Sequence, residues 1–156
     1  MRIHLLAAGT RMPAWINQGF DEYATRLPPE CRLVLKEIAL GASRRGGDNV
    51  KAIAEEGRSM LAAIPERAQV VALEVRGRGF STEQLAANLN RWLQEGRDLA
   101  LLIGGPDGLA SACSERAETS WSLSPLTLPH GLVRVLVAEQ LYRAWTILKN
   151  HPYHRA

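Results

Sequence analysis

Two spacings of apolar residues alternate along the chain. RIHLLAA (2–8) is a short apolar run that reads as a buried strand, and Pro13 to Leu27 sets Trp15, Ile16, Phe20, Tyr23 and Leu27 at helical spacing. RLVLKEIAL (32–40) alternates as a strand does. Beyond the glycine-rich basic loop GASRRGGDN, Val50, Ile53, Ala54, Met60, Leu61 and Ile64 mark a second helix that stops at Pro65. QVVALEV (69–75) is a third strand and RGRGF a loop. Ser81 or Thr82 is the N-cap of a helix that turns Leu85, Ala86, Leu89, Trp92 and Leu93 inward. DLALLIG (98–104) is apolar almost throughout, which predicts burial on both faces. A short helix from about Leu109 to Glu118 and a weaker strand in SWSLS (120–124) follow. The extended segment PLTLPHG, a long helix from about Leu132 to Lys149 and the tail HPYHRA complete the chain.

Repeated alternation of strand and helix predicts an α/β fold, a mostly parallel sheet with helices on both faces, in a single domain spanning 1–156. A chain of 156 residues can bury a sufficient core without disulfides or metal. The last helix departs from the pattern. Leu132, Val133, Val135, Leu136, Val137, Ala138, Leu141, Ala144, Trp145, Ile147 and Leu148 cover more than one stripe of its surface. The surplus suits a homodimer interface, with full burial inside one chain as the alternative.

Composition narrows the class. No apolar stretch approaches the roughly 18 residues of a membrane span, and the first apolar run is too short for a secretory signal. A soluble, cytoplasmic protein with no membrane partner is expected. Cys31 and Cys113 lie far apart with no CxxC spacing, so they read as buried thiols. His151 and His154 have no carboxylate or cysteine company, so no metal is expected. The net charge of +3 is unevenly spread: residues 121–156 carry Arg134, Arg143, Lys149 and Arg155 against Glu139 alone, and the rest of the chain is balanced. With His130, His151 and His154 in the same segment, an anionic partner would dock there; a solvated basic face is the alternative reading.

LLIGGPDG (101–108) ends a strand where open parallel sheets hold their ligands. A phosphate cradle needs successive backbone N–H groups and usually a lysine. Here Pro106 has no N–H, and no Lys or Arg occurs between Arg97 and Arg116. GxGxxG is absent as well. What remains is a close-approach loop with one acid, Asp107, suited to a neutral ring or a cationic ligand such as an adenosine carrying a sulfonium. LSPLTL (123–128) alternates hydroxyls with leucines between prolines, as a purine edge requires; a strand edge leading into a helix is the plainer alternative.

LLIGGPDG (101–108), SLSPLTLPHGLVRVLVAEQLYRAW (122–145) and NHPYHRA (150–156) together resemble the RlmH family of SPOUT methyltransferases, a likeness that covers essentially the whole chain. The resemblance implies methylation of N3 of a pseudouridine in large-subunit (23S) ribosomal RNA, on assembled ribosomes, with S-adenosyl-L-methionine as donor. It also implies a homodimer and a C-terminal deep trefoil knot whose crevice holds the cofactor. Periodicity does not show a knot.

By position, the resemblance puts cofactor contacts at Leu73, Gly104, Gly105, Leu123, Ser124, Pro125, Leu126, Thr127 and Leu128. In the tail, His154 is the candidate proton acceptor, Arg155 or Arg143 the candidate holder of a developing anion, and Tyr153 a candidate stacking partner for the base. His130, Arg134 near the substrate mouth, and Arg44 and Arg45 in the basic loop are candidate RNA contacts. One departure stands out: Glu74–Arg78 reads EVRGR, where the family commonly has an Asp and a Gly-Lys loop. Two alternatives stay open, a SPOUT methyltransferase acting on tRNA or another ribosomal nucleotide, and a non-catalytic adenosine- or RNA-binding module.

Overall fold

A computed structural model describes residues 1–155. Five strands, β1 (Arg2–Ala8), β2 (Arg32–Ile38), β3 (Gln69–Gly79), β4 (Leu99–Ile103) and β5 (Thr119–Ser122), form one sheet in the order β2-β1-β4-β3-β5. Every ladder in it is parallel. Between the strands run α1 (Ala14–Ala24), α2 (Asn49–Ala63), α3 (Thr82–Glu95) and α4 (Ser111–Arg116), and α5 (His130–Leu148) follows β5. Short 3-10 turns occupy Pro29–Cys31, Ala42–Gly46 and Pro152–Arg155.

The period-two geometry of the strands divides the core. Ile3, Leu5, Ala7, Val71, Leu99, Leu101 and Ile103 point to one face, against Phe20 of α1, Leu85, Leu89 and Trp92 of α3, and Val137 and Leu141 of α5. Leu6, Ala8, Val70, Ala100 and Leu102 point to the other, against Met60 of α2 and Cys113 of α4. Both faces are therefore covered, which is why β4 is buried at every position and reads as an unbroken apolar run.

Several boundaries differ from expectation for local reasons. The apolar spacing carries to Leu27, but α1 stops at Ala24: Thr25 closes it by donating its N–H to the Asp21 carbonyl, and Pro28–Pro29 cannot continue it. Ser81, not Thr82, caps α3. Its hydroxyl accepts from the Gln84 N–H while the Gln84 side chain accepts from the Ser81 N–H, a reciprocal capping box. α5 begins two residues early because Pro129, at φ −58°, is already set for helix entry.

The most consequential difference lies in β3. Read as ending at Val75, it continues to Gly79, yet both Leu73 and Arg78 pair with Trp121. Residues 74–77 therefore bulge out of the ladder. Gly77 lies so close to β5 that a Cβ there would sit 2.8 Å from the Ser120 and Trp121 backbone. On α5, Leu132, Val133, Val135, Leu136, Trp145, Ile147 and Leu148 are only half-buried, and Trp15 of α1 is 59 % exposed. Among the described residues, no helix is long and apolar enough to cross a membrane.

Candidate active site

Beyond the carboxyl ends of β3, β4 and β5 opens a cleft of about 840 Å³. One wall is the exit of β3, from Leu73 to Arg76; the floor is the glycine loop from Ile103 to Leu109; the far wall is the segment after β5, through His130 and Val133 of α5. Of the expected cofactor residues, Leu73, Gly104, Gly105, Leu123, Ser124, Leu126, Thr127 and Leu128 line this cleft. Pro125 stands exposed beside them and is not part of the lining.

The glycine loop is folded on itself. Gly108, at φ +86°, donates its N–H to the Gly105 carbonyl at 3.0 Å, and the two residues form an isolated bridge. A Cβ at Gly104 would lie 2.4 Å from the Gly108 carbonyl carbon, so the loop closes only with glycine there. The far wall is fixed by local hydroxyl turns. Ser122 Oγ donates to the Ser124 carbonyl at 3.0 Å, and Ser124 Oγ accepts from the Leu126 N–H at 3.0 Å. Leu126 projects from this turn, 71 % exposed at the lip of the cleft.

Charge in the lining is sparse: Glu74, Arg76 and Asp107, with His130. The Glu74 carboxylate accepts from Ser114 Oγ (2.5 Å) and Ser120 Oγ (2.7 Å). Burial, and then repulsion from Arg134, push the His130 imidazole below its ordinary range, so it is neutral at neutral pH. Asp107 pairs with Arg44 at 2.5 Å, and the Arg44 guanidinium also holds buried Glu56 at 2.9 Å. Arg44 is thus engaged within the fold, whereas Arg45 beside it is exposed.

Arg134 requires a correction. Expected near the substrate mouth, it has no exposed surface: its Nη1 donates to Glu37 at 2.7 Å and its Nη2 to the Gly9 carbonyl at 2.8 Å. The reason is position. Arg134 shares the buried stripe of α5 with Gly131, Val137, Ala138 and Leu141, facing the ends of β1 and β2. It joins elements and cannot reach RNA from there.

The tail folds back on α5. Asn150, at φ +55°, reverses the chain, and the His151 N–H donates to the Thr146 carbonyl at 2.8 Å. Tyr153 packs edge-on to Tyr142 at 4.7 Å, with the Arg143 guanidinium 4.9 Å from its ring centre. Its hydroxyl donates to Glu139 at 3.0 Å, and Glu139 also pairs with Arg143 at 3.1 Å. Burial and Glu139 push the Tyr153 phenol up to about 12. In this arrangement ring and hydroxyl are both taken, so Tyr153 anchors the tail where stacking on a base was expected. His154 is half-buried with Nδ1 enclosed and, among the described residues, without a hydrogen-bond partner, and Arg155 is exposed. None of Arg143, Tyr153, His154 and Arg155 lines the cleft of its own chain. Ala156, the end of the NHPYHRA motif, lies outside the described residues.

Sequence reading missed the acids that organise these basic groups: Glu37, Glu56 and Glu139. Only Glu139, four residues before Arg143 on one helix, carried a readable signal. It also missed Arg76, which the bulge in β3 delivers to the cleft. Among the described residues, no three His, Cys, Asp or Glu side chains gather as a metal set. Cys31 and Cys113 are buried and unpaired as disulfides, and burial pushes the Cys31 thiol up to about 12, leaving it unreactive.

A fully parallel sheet covered on both faces, with its cleft at the strands' carboxyl ends, defines an α/β protein of the layered class, in which that end of the sheet is the usual place for a ligand. Residues 1–154 match the family described as Predicted SPOUT methyltransferase, and the chain belongs to that methyltransferase family. It is 59 % identical over 155 residues, 99 % of this chain and 100 % of the relative, to the ribosomal RNA large subunit methyltransferase H of Methylococcus capsulatus. It is 57 % identical over 155 residues, 99 % of both chains, to the protein of that name from Thioalkalivibrio sulfidiphilus.

Solved structures agree on the fold. A probable methyltransferase from Bordetella pertussis Tohama I superposes with a TM-score of 0.52 at 18 % identity over 92 % of each chain. A probable methylase family protein from Haemophilus influenzae Rd KW20 gives 0.53 at 14 % identity, over 97 % of this chain and 69 % of the other.

Proposed function

We propose that this methyltransferase transfers a methyl group from S-adenosyl-L-methionine to N3 of a pseudouridine in large-subunit ribosomal RNA, as a cytoplasmic homodimer acting on assembled ribosomes. In this reading the C-terminal segment is threaded as a trefoil knot, as in the family it resembles. One observation carries the proposal: the glycine loop and the segment 123–128 form the floor and far wall of one cleft, in a chain matched end to end by relatives named as large-subunit ribosomal RNA methyltransferases.

The cleft suits the donor. Its walls offer leucines, small hydroxyls and backbone groups, and its glycine loop has no cation and a proline where a phosphate would need an N–H. When bound, S-adenosyl-L-methionine supplies an electrophilic methyl on a sulfonium. Leu73, Leu123, Leu126 and Leu128 hold an adenine ring and exclude water; Ser124, Thr127 and Gly104–Gly105 orient it through hydroxyls and backbone.

The nucleophile is an imide nitrogen whose lone pair is delocalised until its proton leaves. His154 accepts that proton, and Arg155, the exposed cation of the tail, stabilises the anion. Arg143, already neutralised by Glu139, serves by holding the tail in place. Because the tail lies outside the cleft of its own chain, the tail of one subunit serves the cleft of the other. The half-buried apolar residues of α5 and Trp15 supply the dimer contact. Neutral His130 on the cleft wall and exposed Arg45 contact RNA.

Incubation of the protein and tritiated methyl donor with assembled ribosomes, separated subunits and bulk tRNA tests this. Label is expected in the large-subunit RNA of assembled ribosomes, at a single pseudouridine. Label on tRNA or on another nucleotide would reassign the substrate, and cofactor binding without transfer would leave only a binding module.

A further inference from the structure

We propose that Arg44 is a positioning residue for the cofactor loop: its guanidinium ties Asp107 of the glycine loop to buried Glu56 of α2 and so holds residues 104–108 ready for ligand. This rests on the reading of the cleft as the donor site. It gives Arg44 a task different from the RNA contact its place in a basic loop suggests.

Glu56 is 4 % exposed, and a carboxylate at that depth requires partners. It receives the Gly41 N–H at 2.8 Å, Arg44 Nη2 at 3.0 and 2.9 Å, and Arg44 Nε at 3.2 Å. That engages one edge of the guanidinium. Nη1, on the other edge, donates to Asp107 Oδ2 at 2.5 Å. A planar fork can span two carboxylates in this way, whereas a lysine ammonium is a single point of charge. Both acids, Asp107 first, raise the Arg44 pKa further, so the guanidinium stays charged at any working pH.

The neighbouring backbone forms the rest of the clamp. A Cβ at Gly41 would lie 2.4 Å from the Ala52 carbonyl oxygen, so the segment carrying Arg44 is seated directly on α2. A Cβ at Gly105 would lie 3.2 Å from Leu40 and 3.6 Å from Glu56 Oε1, so the glycine loop rests on that same segment. Apart from its own Gly105–Gly108 bridge, the loop tip is held among the described residues by the Asp107 ion pair, whose carboxylate is 41 % exposed and would otherwise be solvated. The path α2, Glu56, Arg44, Asp107, glycine loop is continuous, and fixing a loop in its bound form spares the ligand the cost of ordering it. An RNA phosphate on Arg44 would have to displace Asp107.

Calorimetric titration of the intact protein with S-adenosylhomocysteine tests the assignment in Asp107→Asn, Arg44→Gln and the double variant. Asp107→Asn leaves the Arg44–Glu56 contact whole and serves as the decisive variant where Arg44→Gln fails to fold. Asp107→Asn is expected to weaken binding about tenfold, a coupling of ordinary size for a bridged pair, with little change in thermal midpoint. The Michaelis constant for the methyl donor should rise and that for ribosomes should not. The double variant should bind no more weakly than Arg44→Gln alone.

Wild-type affinity in Asp107→Asn would overturn the inference. So would an Arg44→Gln protein with normal cofactor affinity whose RNA binding loses about one unit of salt slope, the mark of a lost phosphate contact. Failure of the wild-type protein to bind S-adenosylhomocysteine would instead overturn the reading of the cleft itself.

Discussion

Replacing Arg134 tests how the structure assigns its basic residues. The side chain is 0 % exposed; it donates to Glu37 at 2.7 Å and to the Gly9 carbonyl at 2.8 Å, while its Nε has no partner. Arg134→Ala leaves the Gly9 carbonyl without its donor, at about 1–3 kcal/mol, and opens a cavity between α5 and the ends of β1 and β2. Glu37 is 34 % exposed and rehydrates, so its share stays near the surface-pair range of about 1 kcal/mol, below the full cost of breaking a buried pair. Together these give about 3–4 kcal/mol, or a melting point lower by roughly 10 °C for a chain of this length. Arg134→Met refills the volume and removes the unpartnered Nε, so it should cost about half as much. Urea denaturation of both variants, with RNA affinity measured across salt concentrations, decides the matter. The reasoning fails if Arg134→Ala stays within 1 kcal/mol of wild type, or if Arg134→Met keeps full stability and loses RNA affinity.

Gly104→Ala should abolish measurable binding of S-adenosylhomocysteine in calorimetry, because its Cβ would sit 2.4 Å from the Gly108 carbonyl carbon and force open the floor of the cleft. Tyr153, raised from 10.0 to about 12, bonds Glu139 only while protonated. A raised pKa contributes stability in full below the unfolded value, so wild type should exceed Tyr153→Phe by about 1 kcal/mol below pH 10, and the difference should vanish as pH rises towards 12. A constant difference across that range in pH-dependent unfolding would rule out the Tyr153–Glu139 bond. Ser81→Ala removes half of a capping box and should cost about 1 kcal/mol, or roughly 3 °C in melting point, leaving cofactor affinity unchanged.

The sheet was legible because its inner strands are covered on both faces while the edge strand β2 alternates buried and exposed positions. β1 and β4 lie inside and read as apolar runs, and α3 announces itself through Ser81 and Gln84. The cleft was legible for a related reason. Gly104, Gly105 and the LSPLTL segment are local features, and the backbone that lines the site belongs to the same few residues that signal it.

The basic residues were not legible, because their fate depends on acids distant in sequence. Arg134 meets Glu37 at a separation of 97 residues and Arg44 meets Asp107 at 63, pairings made only by the crossovers of the sheet. The bulge at residues 74–77 was equally hidden. EVRGRG has the composition of a loop, and only its pairing with Trp121 on both sides makes it a displaced part of a strand. Tyr153 illustrates the same limit at short range, since an aromatic in a tail reads alike whether it will stack on a base or on Tyr142.

The central claim is that this cleft accepts an adenosine bearing a sulfur side chain and rejects a polyphosphate. Calorimetric titration of the wild-type protein with S-adenosylhomocysteine and, separately, with a nucleoside triphosphate tests it most directly. Saturable heat is predicted with the first and none with the second; tight binding of the triphosphate with no heat from S-adenosylhomocysteine would contradict the account.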